Sequence, residues 1–210
     1  MAAPCPSCGA QLDSPLCCTS CGALFAVTVE LDPFEVLGLP REFRVDGKLL
    51  RRRLRDLTRH MHPDFFGTAS DEQRALAERN TAVLNEAHEE LSEDLRRADG
   101  LVRRLGGPDE GAERQMPQEF LMEVMEWNES LDEERSRDAN GDSPGLAALE
   151  AELRHRHDST LAQAGDLLTP LPARGAPALT EVRRLLNALR YLQKTLSEIT
   201  ALRLARANTR

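Results

Sequence analysis

Apolar side chains recur at steps of three and four residues through most of this chain, and this spacing limits its fold more than any other feature. Such steps place side chains on one face of an α-helix. The longest series lies near the C-terminus and comprises Leu179, Val182, Leu185, Leu186, Leu189, Leu192, Leu196 and Ile199. Aromatic residues make up only 4% of the 210 residues, so the core consists mainly of aliphatic side chains that suit helices. We therefore predict an all-α fold.

All five cysteines lie within the first 21 residues, whereas a disulfide framework would be spread over the fold that it stabilises. Four of them form two Cys-x-x-Cys pairs, Cys5 with Cys8 and Cys18 with Cys21. Two such turns supply the four thiolates that tetrahedral zinc prefers, so we predict a structural zinc site. Iron, alone or in an iron–sulfur cluster, uses the same ligands and is the alternative metal. Cys17 is an alternative ligand to Cys18.

Turn-forming residues and changes in composition divide the chain into four segments. We predict a four-cysteine zinc-knuckle module over residues 1–27 and a helical domain over 30–105. The Gly- and Pro-rich residues 106–115 form a linker, and residues 116–210 form a three-helix domain.

The overall charge and the N-terminal residues exclude several classes of protein. The net charge of −8 disfavours a general nucleic-acid binder, which needs a basic surface to neutralise phosphates. No apolar run approaches the ~18 residues of a membrane helix, and the first residues lack the basic and apolar stretches of a secretory signal. We therefore expect a cytoplasmic protein that binds neither nucleic acid nor membranes.

The helix predicted over residues 46–61 has two opposite faces. Its apolar arc contains Leu50, Leu54, Leu57 and Met61. Its basic arc, within about 60° at 100° per residue, contains Lys48, Arg52, Arg55 and Arg59. His62, Pro63 and Asp64 follow directly, and a second helix begins near Ser70. A basic face on an acidic protein favours docking to an acidic partner, although such faces are often merely solvated.

The same segment also contains the pattern His-x-His-x-Asp, formed by His60, His62 and Asp64, which resembles a metal-hydrolase motif. That motif needs further ligands, and the remaining histidines, His88, His155 and His157, form no obvious constellation. We therefore do not expect an enzyme. A stoichiometric metal retained after removal of residues 1–27 would favour the hydrolase.

The first helix of the C-terminal domain also has two apolar arcs. We predict that Phe120, Val124, Trp127 and Leu131 form its core stripe. A second arc contains Leu121, Met122 and Met125, with the acidic Glu126 and Glu129 beside it. An apolar patch rimmed by acids is typical of a partner site, and methionine suits an adaptable surface. A broad core helix is the alternative.

Taken together, these motifs resemble the HscB family, the J-domain co-chaperones of iron–sulfur cluster assembly. The basic helix, His-Pro-Asp and following helix resemble a J domain in general. Four segments resemble HscB in particular: residues 32–40 (DPFEVLGLP), 84–91 (LNEAHEEL), 120–123 (FLME) and 190–192 (RYL). The resemblance covers residues 30–205, and the cysteine module resembles the N-terminal extension of the eukaryotic-type members.

The resemblance implies a J-domain helical hairpin, a C-terminal three-helix bundle and two binding sites. His62, Pro63, Asp64 and the basic face would engage an HscA- or DnaK-type ATPase chaperone. The second apolar arc of the tail helix and Tyr191 would bind an IscU-type scaffold protein. The implied function is to deliver the scaffold and to stimulate the chaperone's ATPase. The alternative is a general J-domain co-chaperone whose tail binds unfolded clients.

Overall fold

The computed structural model describes residues 4–27, 29–66, 69–111, 116–137 and 143–208. Within these ranges the chain forms seven α-helices and one 3-10 turn, with no β-structure beyond two isolated bridges near the cysteines. The helices are α1 (Pro33–Leu37), α2 (Gly47–Met61), α3 (Asp71–Ser92), α4 (Asp94–Arg104), α5 (Gln118–Ser136), α6 (Pro144–Leu167) and α7 (Ala178–Asn208). The predicted all-α fold is confirmed. None of the described helices has both the length and the hydropathy that crossing a bilayer requires.

The helices form two compact units, Met1–Arg97 and Ala98–Arg210, which divide inside α4. In the second unit, the described part of the predicted linker is bonded to helices. The Pro108 carbonyl accepts a hydrogen bond from Arg183 Nε (2.7 Å), and the Gly107 N–H donates to the Val102 carbonyl (2.8 Å). The four-segment division of the chain remains a prediction.

In the first unit, α2 and α3 pack against each other as a helical hairpin. Both helices begin at a side-chain cap: Asp46 accepts from the Lys48 N–H (2.8 Å), and Ser70 accepts from the Gln73 N–H (3.3 Å). The apolar arc of α2 faces the core as predicted, with Leu50, Leu57 and Met61 buried and Leu54 half-buried. The opposite arc is thereby left to solvent.

The short helix α1 ends at Gly38, which has a left-handed φ of 61°. A Cβ at this position would meet the guanidinium group of Arg53 and the carbonyl oxygen of Asp13. Glycine is therefore required both by the backbone conformation and by the close approach of the cysteine-rich segment.

The second unit contains the predicted bundle of α5, α6 and α7. Helices α5 and α6 are antiparallel, because Trp127 Nε1 donates to Glu152 (2.7 Å) while Glu134 accepts from Ser143 at the opposite end. The buried core consists of Phe120, Trp127, Leu131, Leu146, Leu149, Leu153, Ala188, Leu192 and Ile199. Val124 is half-buried against this core. The predicted stripe of α5 therefore faces inward.

Candidate functional site

The two Cys-x-x-Cys turns have the same backbone structure. In each turn, the N–H of the first cysteine donates to the carbonyl five residues later, and its carbonyl accepts from the glycine N–H four residues later. These bonds are Cys5 to Ala10 (2.7 Å), Gly9 to Cys5 (2.8 Å), Cys18 to Ala23 (2.8 Å) and Gly22 to Cys18 (2.9 Å). Both glycines have a left-handed φ, 75° and 74°, which explains why glycine follows each pair.

The turns bring the four predicted cysteines together. All four Sγ atoms lie within 4.8 Å of one another, with Cys5 and Cys21 separated by 3.8 Å and Cys8 and Cys18 by 3.7 Å. A tetrahedron with metal–sulfur bonds of about 2.3 Å has edges of about 3.8 Å, so these positions suit one zinc ion. The four cysteines could therefore hold one tetrahedral metal ion.

The structure distinguishes Cys18 from its neighbour Cys17. Cys18 Sγ belongs to the four-sulfur cluster, where the backbone N–H of Cys21 is the main cause that lowers the Cys18 pKa to about 6. Cys17 is fully buried outside the cluster, and burial raises the pKa of its thiol to about 11. Because the Cys18 sulfur lies with the other three and the Cys17 sulfur does not, this arrangement favours Cys18 as the ligand.

We expect Cys18→Ser to lose the bound metal and Cys17→Ser to keep it. The wild-type protein, purified under reducing conditions, should contain about one metal ion per chain. Elemental analysis of the three proteins at equal concentration tests both statements. If the Cys18 variant retains the metal and the Cys17 variant loses it, Cys17 rather than Cys18 is the ligand.

The cysteine module is attached to helices α1 and α3 through polar side chains. Asn80 of α3 is only 2% exposed, and its Nδ2 donates to the carbonyls of Leu16 (2.9 Å) and Phe25 (3.0 Å). Ser14 Oγ donates to the Val36 carbonyl at 2.7 Å. These contacts join residues far apart in the sequence, and no local pattern predicts them.

The His-Pro-Asp segment follows the last turn of α2 and opens the 3-10 turn Pro63–Phe66. The Asp64 N–H donates to His62 Nδ1 at 3.3 Å. Nδ1 also lies 3.5 Å from Asp64 Oδ2, so the ring stands against both the backbone and the carboxylate of Asp64. The side chains of His62 and Asp64 are 43% and 87% exposed. Both predicted contact groups are therefore accessible.

The basic arc of α2 is exposed beside this segment. Lys48, Arg52, Arg55 and Arg59 are all exposed. Arg52 has a weak ion pair with Asp56 on the same helix, at 3.6 Å. The arrangement concentrates positive charge on the solvent face of one helix, as the sequence predicts.

The hydrolase alternative gains no support from the structure. His60 lies in the last turn of α2, whereas His62 lies beyond its end. Across the described ranges, the cysteines form the one group of three or more His, Cys, Asp or Glu side chains whose ligand atoms could meet at a metal ion.

The second apolar arc of α5 is exposed, as predicted. Leu121, Met122 and Met125 are 49%, 57% and 62% exposed, whereas the core side chain Phe120 is 4% exposed. Glu126 and Glu129 are exposed on the same helix. The alternative of a broad core helix is therefore wrong, and we call these three apolar side chains the α5 patch.

Tyr191 of α7 lies against α5 near this patch. Its ring packs edge-on against Phe120, with centroids 6.1 Å apart, and its hydroxyl donates to Asn128 Oδ1 at 3.0 Å. Tyr191 therefore contacts α5 at positions adjacent in sequence to Leu121 and Glu129.

Comparison with known proteins relates these features to a family. The family model described as "HSCB C-terminal oligomerisation domain" matches residues 116–200. The chain is 33% identical over 171 residues to the co-chaperone protein HscB homolog of Vibrio vulnificus (strain YJ016), covering 79% of this chain and 99% of that relative. A Vibrio cholerae homolog (strain M66-2) is 44% identical over 101 residues, or 47% of this chain and 58% of that relative.

Solved structures show the same fold. The crystal structure of human co-chaperone HscB matches 95% of this chain and 98% of its own, with a TM-score of 0.75 and 24% identity. Chaperone HscB from Vibrio cholerae matches 82% of this chain and 97% of its own, with a TM-score of 0.65 and 28% identity. With a relative matched over nearly its whole length, and with the helical hairpin, tail bundle and four-cysteine module in place, the chain belongs to the HscB family of co-chaperones.

Proposed function

We propose that this protein binds an IscU-type iron–sulfur scaffold protein, delivers it to an HscA- or DnaK-type chaperone and stimulates that chaperone's ATPase during cluster assembly and transfer. The observation that supports this function is that each of the two units exposes a different surface of a kind that suits a protein partner. His62 and the basic arc lie in the first unit, and the α5 patch lies in the second. One chain therefore has separate residues for two partners.

The surface of the first unit suits an ATPase chaperone with an acidic face. Four exposed cations attract such a face over a Debye length of about 10 Å at 0.1 M salt. Once docked, Asp64 accepts hydrogen bonds and His62 offers Nε2 for a further one. The protein acts by binding one conformation of the chaperone better than another, and the chaperone itself hydrolyses ATP.

The α5 patch suits a partner with an apolar contact surface and basic groups around it. Burying one large apolar side chain contributes roughly 1.5–3 kcal/mol, so three neighbouring side chains supply enough energy for a specific complex. The acidic Glu126 and Glu129 favour basic groups at the edge of that partner. We propose that Tyr191, beside the patch, is part of the same scaffold-binding surface.

The cysteine module fits a structural zinc ion held by Cys5, Cys8, Cys18 and Cys21. Four thiolates complete a tetrahedral zinc shell and leave no open position for a substrate, so the ion stabilises the fold of a short segment. The sulfur–sulfur distances fit a single tetrahedral ion better than an iron–sulfur cluster, and we propose zinc rather than a lone iron because two Cys-x-x-Cys pairs are a typical structural zinc ligand set. We also propose that the protein acts in the cytoplasm.

The function is tested by asking whether the scaffold protein co-purifies with the tagged chain and whether the pair accelerates single-turnover ATP hydrolysis by the chaperone. We expect stable capture of the folded scaffold and faster hydrolysis when all three proteins are present. A chain that captures a chemically unfolded client as well as the scaffold, with equal stimulation, would instead be a general co-chaperone.

We expect Arg52→Ala combined with Arg55→Ala to weaken chaperone stimulation about tenfold at low salt and much less at high salt. At 1 M salt, electrostatic attraction is screened within about 3 Å. The wild-type protein and the double variant should therefore need similar concentrations for half-maximal stimulation at that salt concentration. The measurement is the concentration for half-maximal stimulation across a salt series. Arg135→Ala with Arg154→Ala, two exposed arginines of the second unit, is the matched control and should have no such effect. An equal loss at every salt concentration would contradict a steering role.

A further inference from the structure

Phe65 is not among the site residues predicted from the sequence, yet it is the most exposed large apolar side chain in the described part of the protein, at 70%. It occupies the third position of the 3-10 turn Pro63–Phe66. The next residue, Phe66, is half-buried. One ring of the pair thus faces the protein while the other extends into solvent.

The exposed ring is held in place by its neighbour His62. The two rings pack edge-on, with centroids 6.2 Å apart and an interplanar angle of 73°. The backbone N–H of Phe65 also donates to the His62 carbonyl at 3.0 Å. A ring that is already oriented loses little conformational entropy when a partner covers it, which favours tight binding.

We propose that Phe65 is the apolar anchor of the chaperone-docking surface and enters an apolar pocket beside acidic side chains of the ATPase chaperone. This inference rests on the proposed function. The residues around Phe65 indicate this partner. The ring contacts His62, adjoins Asp64 in the sequence and follows a helix whose exposed face is basic. A surface complementary to this one is acidic around an apolar pocket.

An aromatic anchor and a basic face contribute to binding in different ways. Charge attraction raises the association rate and weakens with salt, whereas burial of a ring slows dissociation and does not depend on screening. Buried aromatic side chains at the centre of an interface commonly supply a large share of its affinity. The contributions of Phe65 and of the basic arc to chaperone binding should therefore differ in their dependence on salt concentration.

The test compares Phe65→Ala, Phe65→Leu and His62→Gln in single-turnover ATP hydrolysis across a salt series. We expect Phe65→Ala to raise the half-maximal concentration about tenfold, by the same factor at low and high salt, and Phe65→Leu to recover part of the loss. Leu204→Ala, which removes a 61% exposed side chain from the second unit, is the matched control and should match the wild type.

Each outcome bears on one of the two hypotheses. Normal stimulation by Phe65→Ala together with none by His62→Gln would overturn the anchor and leave the proposed function intact. Normal stimulation by both variants would overturn the proposed function as well. Thermal melting verifies that the Phe65 variants are folded. A change in sedimentation from dimer to monomer on Phe65→Ala would show that the ring is covered by a second copy of this chain, which also overturns the anchor.

Discussion

A protein with His62→Gln is expected to stimulate no ATP hydrolysis while it still binds the scaffold normally. The imidazole holds its two nitrogens on a rigid ring, with Nδ1 at 3.3 Å from the Asp64 N–H and Nε2 on the opposite side of the ring. A glutamine amide is flexible and cannot hold both groups in this geometry. The side chain is 43% exposed, so the fold does not depend on it.

The matched control is His60→Gln, which changes the same residue type within the last turn of α2. We expect this variant to stimulate the chaperone like the wild type, because His60 lies before the 3-10 turn Pro63–Phe66 that we propose as part of the docking surface. Scaffold affinity, measured by calorimetry, should be equal in all three proteins, since the α5 patch lies in the other unit. Full single-turnover stimulation by His62→Gln would refute the assignment of this turn to the chaperone.

Replacing Leu121, Met122 and Met125 together by alanine is expected to weaken scaffold binding at least about 100-fold. The few side chains that dominate an interface, clustered near its centre, cost more than about 1 kcal/mol each when truncated, and 1.4 kcal/mol corresponds to a tenfold change in affinity. All three side chains are at least 49% exposed, so the melting temperature should change little. Calorimetric titration of the scaffold and thermal melting of the free variant measure the two effects.

Two further variants serve as controls, one for scaffold binding and one for stability. Leu204→Ala removes an equally exposed side chain from α7 and should leave scaffold affinity unchanged. Leu131→Ala removes a core side chain of α5 that is 1% exposed, and its loss should cost about 2–5 kcal/mol of stability. If the triple variant instead melts as early as the Leu131 variant and binds the scaffold normally, the α5 patch supports the bundle rather than the interface.

Helix faces and metal ligands could be predicted because both depend on local spacing. The steps of three and four residues predict which side of α5 packs inward, and the structure buries Phe120, Trp127 and Leu131 while it exposes Met125. The paired Cys-x-x-Cys spacing likewise predicts the four-sulfur cluster. Spacing alone could not choose between Cys17 and Cys18, because adjacent residues fit the motif equally well. That choice depends on which sulfur the turn directs toward the other three.

Contacts across long stretches of chain could not be predicted in the same way. Asn80 donates to a carbonyl 64 residues earlier, and Arg183 bonds to a carbonyl 75 residues earlier. Neither residue interrupts its helical pattern, so nothing in the local sequence distinguishes it from a solvated polar side chain. The exposure of Phe65 could not be predicted either. Helical spacing predicts burial only for residues of a helix, and Phe65 lies in the turn between α2 and α3.

A metal ion bound by the four cysteines would be coupled thermodynamically to the helical hairpin through the Asn80 amide. If the cysteine module came apart, this 2% exposed amide would lose both carbonyl acceptors at once. An ion that binds only the folded module therefore also stabilises α3, and a folded α3 strengthens the hold on the ion in return. Withdrawal of metal by a chelator would then loosen the helices that present His62. A metal bound by the four cysteines would thus also favour the folded helix pair that presents His62.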